Sequence, residues 1–198
     1  NPPVGFADAG GYVSIEAAHY TNAVAPAPFR WQVIPELGRT ESAVTALPVT
    51  VESQTPGAGS PHLEYHMTLQ QAGTVTVNAY LSPSFDFKGT DGLRYAVSFD
   101  DAEPVIVNMH GDGSLEPDRY SPAWMRMVAD NAKQSSSTHQ IAEPGEHVLK
   151  FWLVDPGVVL QKLVVDAGGL KESYLGPPES YFAPIAGSHA ASGPTAAK

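Results

Sequence analysis

His62, Glu64 and His66 stand at alternate positions of HLEYH. On a strand all three point to one side, where two imidazoles and a carboxylate make a zinc-ligand set. A solvated strand face has the same pattern. Asp112, Ser114, Glu116 and Asp118 in DGSLEPD also alternate, as the early oxygen ligands of a calcium loop do. The glycine and distal glutamate positions of such a loop are not matched, which leaves an acidic loop. Nucleophilic chemistry has little to draw on: no Gly-x-Ser-x-Gly turn is present, and nothing ties any of the 7 histidines to a serine and an aspartate. A carboxylate pair for glycoside cleavage can be drawn from any of the 21 acidic residues, so that pattern carries almost no information.

Trp152 is more specific. If EHVLKFWLV (146–154) is one regular strand, Leu149, Phe151 and Leu153 share the core face, and Trp152 lies opposite, beside Lys150. An indole there can stack on the apolar face of a pyranose ring while polar neighbours bond its hydroxyls. The plainer reading is that another element covers that face. Trp31 and Tyr65 are similar candidates, although the strand phase of Tyr65 places it in the core. Asp155 opens an Asp-Pro-Gly turn, in which Pro fixes φ and Gly accepts a positive φ; the turn alone explains these residues. Its functional reading is a hydroxyl acceptor at a rim. Lys150 and Arg39 are cations that could pair with a sugar carboxylate.

The elements that must position these groups are mostly strands. Segments 11–20, 29–35, 42–47, 62–69, 74–81, 93–100, 105–109, 146–154 and 158–166 alternate or run apolar between turn signals, which predicts an antiparallel sandwich or jelly roll. The pairs 62–69 with 74–81 and 93–100 with 105–109 read as hairpins, and 146–154 with 158–166 as the final pair. One short helix is predicted, with Ser121 as N-cap, Pro122 in its first turn, and Trp124, Met127, Val128 and Asn131 on one side. Segment 53–61 reads as a loop. Residues 1–10 read as an extension, 11–182 as the folded domain and 183–198 as a flexible tail.

Composition narrows the classes further. Apolar residues make up 42 % of the 198 and Gly and Pro number 18 each, which suits strands joined by tight turns. With 11 Lys and Arg, no basic run and a net charge of −10, nucleic-acid binding is set aside. The absence of cysteine excludes disulfides, thiolate nucleophiles and Cys-ligated zinc. No run of 18 apolar residues is present, so no membrane-spanning helix is expected. The opening NPPVGFADAGG has neither a charged nor an apolar leader region, as in a chain that follows a cleaved signal or lies within a larger protein.

GYVSIEAAHY, then W-x-x-I-P-x-L-G-R-T-x-S-A-V-T, then GLRYAVSFDD, and finally WLVDPGVVLQKLVVDAGGLKESYLGPPES together resemble the C-terminal domain of family 115 glycoside hydrolases. That family comprises α-1,2-glucuronidases acting on xylan. The resemblance runs from about Gly11 to Ser180, and its last block is the most specific. It implies a sandwich similar to galactose-binding-like carbohydrate-binding modules, with the catalytic parts in upstream domains of a secreted or periplasmic bacterial enzyme. The function it implies is noncatalytic binding of xylan or glucuronoxylan. The alternatives are a structural or dimer-forming domain without a sugar site, and a small glycosidase or lyase. In related modules the first strand carries I-E-A-E and the last an aspartate, around a structural calcium. Here Glu16 and Asp166 match these positions, while Ala18 replaces the second glutamate.

Overall fold

The computed structural model describes residues 4–89, 91–112, 122–171 and 173–184. Within them lie β1 (Gly5–Ala7), β2 (Tyr12–Glu16), β3 (Asn22–Val24), β4 (Arg30–Ile34), β5 (Ala43–Leu47), β6 (His62–Leu69), β7 (Gly73–Leu81), β8 (Arg94–Phe99), β9 (Val105–Asn108), α1 (Pro122–Asp130), β10 (Lys133–Ile141), β11 (Gly145–Leu153), β12 (Val159–Asp166) and β13 (Phe182–Ala183). Period-2 alternation gives each long strand one face to bury. Leu63, Tyr65, Met67 and Leu69 of β6, Val75, Val77, Ala79 and Leu81 of β7, and Leu149 and Phe151 of β11 all enter one continuous core.

That core lies between two sheets, in the manner of a jelly-roll sandwich. The first sheet runs β13-β1-β6-β11-β8-β9, with β3 added beside β6; the second runs β10-β7-β12-β5-β4, with β2 beside β12. The β8–β9 hairpin forms as expected, Val97 opposite Val105. The other two expected pairs do not. β6 pairs with β11 in one sheet while β7 pairs with β10 and β12 in the other, so the short link at 70–72 crosses between sheets. Asp-Pro-Gly at 155–157 likewise carries the chain from β11 in the first sheet to β12 in the second. Alternation specifies which face is buried but not which sheet a strand joins.

Other differences are local. Gly5–Ala7, expected within an extension, forms β1, parallel to β6 and antiparallel to β13, and Ala183 of the expected tail lies in β13. β10 has too few apolar residues for its sequence to stand out, yet it buries Lys133, Ser137, His139 and Ile141 along the sandwich edge. In α1, Met127 is buried, Trp124 stacks on Phe85 at 4.3 Å, and Val128 is exposed rather than facing inward. Ser121, the remainder of the acidic loop, and the tail beyond residue 184 lie outside the described residues.

Candidate functional site

A groove lies on the outer face of the second sheet. Asn78 and Tyr80 of β7 point outward because Val77, Ala79 and Leu81 point in. Gln134 of β10 sits directly opposite Tyr80. Across this polar floor runs a strap, described at 170–171 and 173–181, between the second sheet and β13 in the first. Leu170, Lys171, Ser173, Tyr174, Gly176 and Pro177 of the strap form the wall of a groove of about 500 Å³. Burial pushes the Tyr80 phenol above its ordinary range, so it remains a protonated donor at neutral pH. Gly176 has a φ of +76°, which strains other residues, and an added Cβ would lie 3.1 Å from the Tyr80 hydroxyl, so a larger residue would also push that ring aside.

Tyr174 is the exposed ring of this groove, with 67 % of its surface accessible. Arg39, from the turn between β4 and β5, lays its guanidinium 4.1 Å from the ring centroid and donates to the Tyr174 carbonyl. Of the residues singled out from sequence, Arg39 is thus the one at the groove, as a support for its aromatic wall. The groove residues come from β7, from the inconspicuous β10, from Leu170 and Lys171 after the Asp166 turn, and from SYLGPP. The last of these lies in the block that carries the resemblance most specifically.

The other sequence candidates lie elsewhere. Trp152 does face away from the main core, but it offers no stacking surface. It is 6 % exposed, the His62 ring covers it at 4.2 Å, and its indole N–H donates to Ser98 Oγ at 2.9 Å. The loop at 53–61 is tied over this stretch by backbone bonds from Gln54 to Val154 and from Leu153 to Pro61. His62 and Glu64 serve this packing: a His62 ring nitrogen lies 3.2 Å from Glu64, which also accepts from Asn22. Lys150, on the same outer face, points toward Asp101 at 3.7 Å, across the sandwich from the groove. Trp31 is half-buried against the main core and donates to the Val24 carbonyl at 3.1 Å.

Asp155 is not a rim acceptor. Its carboxylate is fully buried, accepting from the Arg94 backbone at 2.8 Å, from Arg94 Nε at 2.8 Å and Nη2 at 3.1 Å, and from Ser53. Burial pushes its pKa up, but the Arg94 and Ser53 hydrogen bonds outweigh burial and hold it below the ordinary carboxylate value. Ser137 Oγ and His139 Nε2 lie 2.7 Å apart, a spacing suited to a nucleophile and its base. Both are buried, and the Phe99 ring packs edge-on against the imidazole.

The expected calcium pair does not converge. Glu16 lies opposite Lys162 whereas Asp166 lies opposite Tyr12, four residues along, or roughly 13 Å at about 3.3 Å per residue. Asp166 instead accepts from the Gly168 and Leu170 amides, closing the turn before the strap. Among the described residues no group of three or more His, Cys, Asp or Glu is arranged to hold a metal.

Two sheets, antiparallel except for the β1–β6 pair, enclosing one main core, with a polar groove on one outer face, define a β-sandwich of the jelly-roll class. Residues 5–179 match the model of the glycosyl hydrolase family 115 C-terminal domain, and the chain belongs to that family. It aligns over 80 % of its length with a family GH115 4-O-methyl-α-glucuronidase described as having specificity for decorated arabinogalactans, at 21 % identity and a TM-score of 0.59. The aligned part covers only 18 % of that enzyme's chain. A family 35 carbohydrate-binding module from Clostridium thermocellum aligns at 12 % identity over 78 % of this chain and 98 % of the module, with a TM-score of 0.49. The C-terminal CBM6 of a laminarinase from Zobellia galactanivorans aligns over the same shares of the two chains at 12 % identity, with a TM-score of 0.47. No curated protein matches the chain.

Proposed function

We propose that the chain is a noncatalytic carbohydrate-binding module of a secreted xylan-degrading α-glucuronidase, and that it holds xylan or glucuronoxylan in the groove on the second sheet. One observation supports this above the others: an open polar groove with an exposed tyrosine in its wall. Sugar recognition needs an apolar surface for the ring and fixed donors and acceptors for its hydroxyls. Tyr174, held by Arg39, supplies the former; Asn78, Gln134, Ser173 and the Tyr80 hydroxyl supply the latter. Exposed Lys171 is placed to meet the carboxylate of a glucuronate branch. One stack and a few solvent-competed hydrogen bonds give weak binding, with a Kd of about 0.1–1 mM.

Calorimetric titration with glucuronoxylan, arabinoxylan, arabinogalactan, cellulose and free glucuronic acid tests the reading. Glucuronoxylan should bind, and Tyr174→Ala should weaken it by about tenfold, the loss of one ring stack. Lys171→Ala should weaken only the ligands that carry a uronate. Trp31→Ala, away from the groove, should leave affinity unchanged. Prolonged incubation should release no sugar. Heat with none of these glycans would leave a structural role in the parent enzyme as the better reading.

A further inference from the structure

The junction between the strap and the second sheet is built around a buried ammonium. Lys162 is buried, and its Nζ lies 2.9 Å from Glu16 Oε1 and donates to the Pro177 carbonyl at 3.1 Å. Its direction follows from a bulge. The register between β12 and β7 shifts between Leu160 and Lys162. Without the shift, alternation from buried Leu160 would aim Lys162 into the apolar core; with it, Leu163 and Val165 point inward and Lys162 points out, under the strap.

The other groups touching Glu16 and the Pro177 carbonyl are oxygen or backbone amide, and the His19 ring lies one step beyond, on Glu179. Thr40 Oγ1 donates to Glu16 Oε1 at 2.7 Å, the Glu16 amide donates to Glu179 at 2.8 Å, and Ser14 Oγ donates to the Pro177 carbonyl at 3.1 Å. Glu16 Oε2 is buried without a hydrogen-bond partner among the described residues. A carboxylate on β2 and a carbonyl on the strap, drawn together by a cation between them, is a task that oxygen-ligated metal ions perform in other proteins. Here the cation position is filled by the chain itself. One buried carboxylate is neutralised by one ammonium, whereas a divalent ion at the same point would leave an uncompensated positive charge, which is costly away from water. The nearest further carboxylate, Glu179, is already engaged by the Glu16 amide and by His19, while Asp166 stands well apart from Glu16 and Ala18 is apolar, which leaves no free carboxylate among the described residues to balance it. The residues present therefore do not fit the calcium implied by related sandwich modules.

We infer that Lys162 is an internal replacement for a structural metal ion: its ammonium latches the 170–181 strap to the second sheet, and the domain holds this junction without a divalent cation. The inference does not depend on what the groove binds.

The test compares the intact chain with Lys162→Met, by hydrogen exchange and by thermal unfolding in excess calcium and in chelator. The unaltered chain should melt at the same temperature in both. In Lys162→Met the amides of Glu16 and Ser180 should exchange about tenfold faster or more, while those of β6 and β11 keep their protection. A melting temperature raised by calcium and lowered by chelator in the unaltered chain would overturn the proposal. So would strap amides in Lys162→Met as protected as before. If Lys162→Met does not fold, Glu16→Gln/Lys162→Met removes the stranded carboxylate as well; strap amides that stay protected in that variant would likewise count against the latch.

Discussion

At the scale of single residues, Trp152 and Asp155 show how a side chain with the right chemistry for binding is used for structure instead. Both stand where alternation and turn chemistry place them. What alternation does not reveal is the His62 ring over the indole or the Arg94 fork around the carboxylate. Trp152→Ala should cost about 3–5 kcal/mol of stability, the usual range for emptying a buried indole site. Denaturant titration checks the cost, and groove binding measured on the folded fraction should not change. Asp155→Asn should cost about 1.5–3 kcal/mol, the range for hydrogen bonds to a charged group. Because its folded pKa is depressed, the contribution of Asp155 is fully present above the unfolded value near 3.8 and is lost as pH falls through the folded one. Acid unfolding of Asp155→Asn should lack that part of the pH dependence.

The element that matters most is the strap. It leaves β12 through the Asp166 turn, crosses Tyr80 at Gly176, and is tied at Ser14, Glu16 and Lys162 before its end joins β1 as β13. His19 adds a pH-sensitive tie. Its Nδ1 is 2.9 Å from both Glu179 oxygens and its Nε2 is 3.3 Å from Glu41. The hydrogen bond to Glu179, aided by the charges of Glu179, Glu41 and Glu16, raises its pKa against the opposing effect of burial. A raised histidine gives its full stabilisation below the unfolded value near 6.5 and loses it as pH rises through the folded one. Strap amides should therefore exchange faster above neutrality than the chemical pH dependence of exchange accounts for, and His19→Gln should remove that excess.

Most of the long strands, and the face each one buries, were legible in the sequence because apolar residues alternate through them. β10 was not, since KQSSSTHQI buries polar side chains at a sandwich edge and has few apolar residues to show a period. Strand pairing was legible only for the β8–β9 hairpin, because a three-residue link such as 70–72 serves a hairpin or a crossing equally well. The groove combines these two blind spots. Its floor needs β7 beside β10, and its wall is a non-repetitive strap whose path is set by Gly176, Lys162 and Arg39 acting over long sequence distances.

For the molecule as a whole, the two sheets divide the work. The first carries β1 and β13, and the second carries the groove. Joining residue 184 to residue 4 by a short flexible linker and opening the chain within 53–61 should give a permutant that folds to the same structure, because β1 and β13 already lie side by side and the new break falls in a loop. Glycan titration and the far-UV spectrum of the permutant check this. The same pairing has a mechanical consequence. Gly5 faces Ala183 and Phe6 faces Phe182, so tension applied at the two ends opens that ladder one rung at a time, as a zip, instead of shearing it. The load reaches the groove sheet only after this small clasp has parted, so the clasp would give way, like a fuse, before the groove is disturbed.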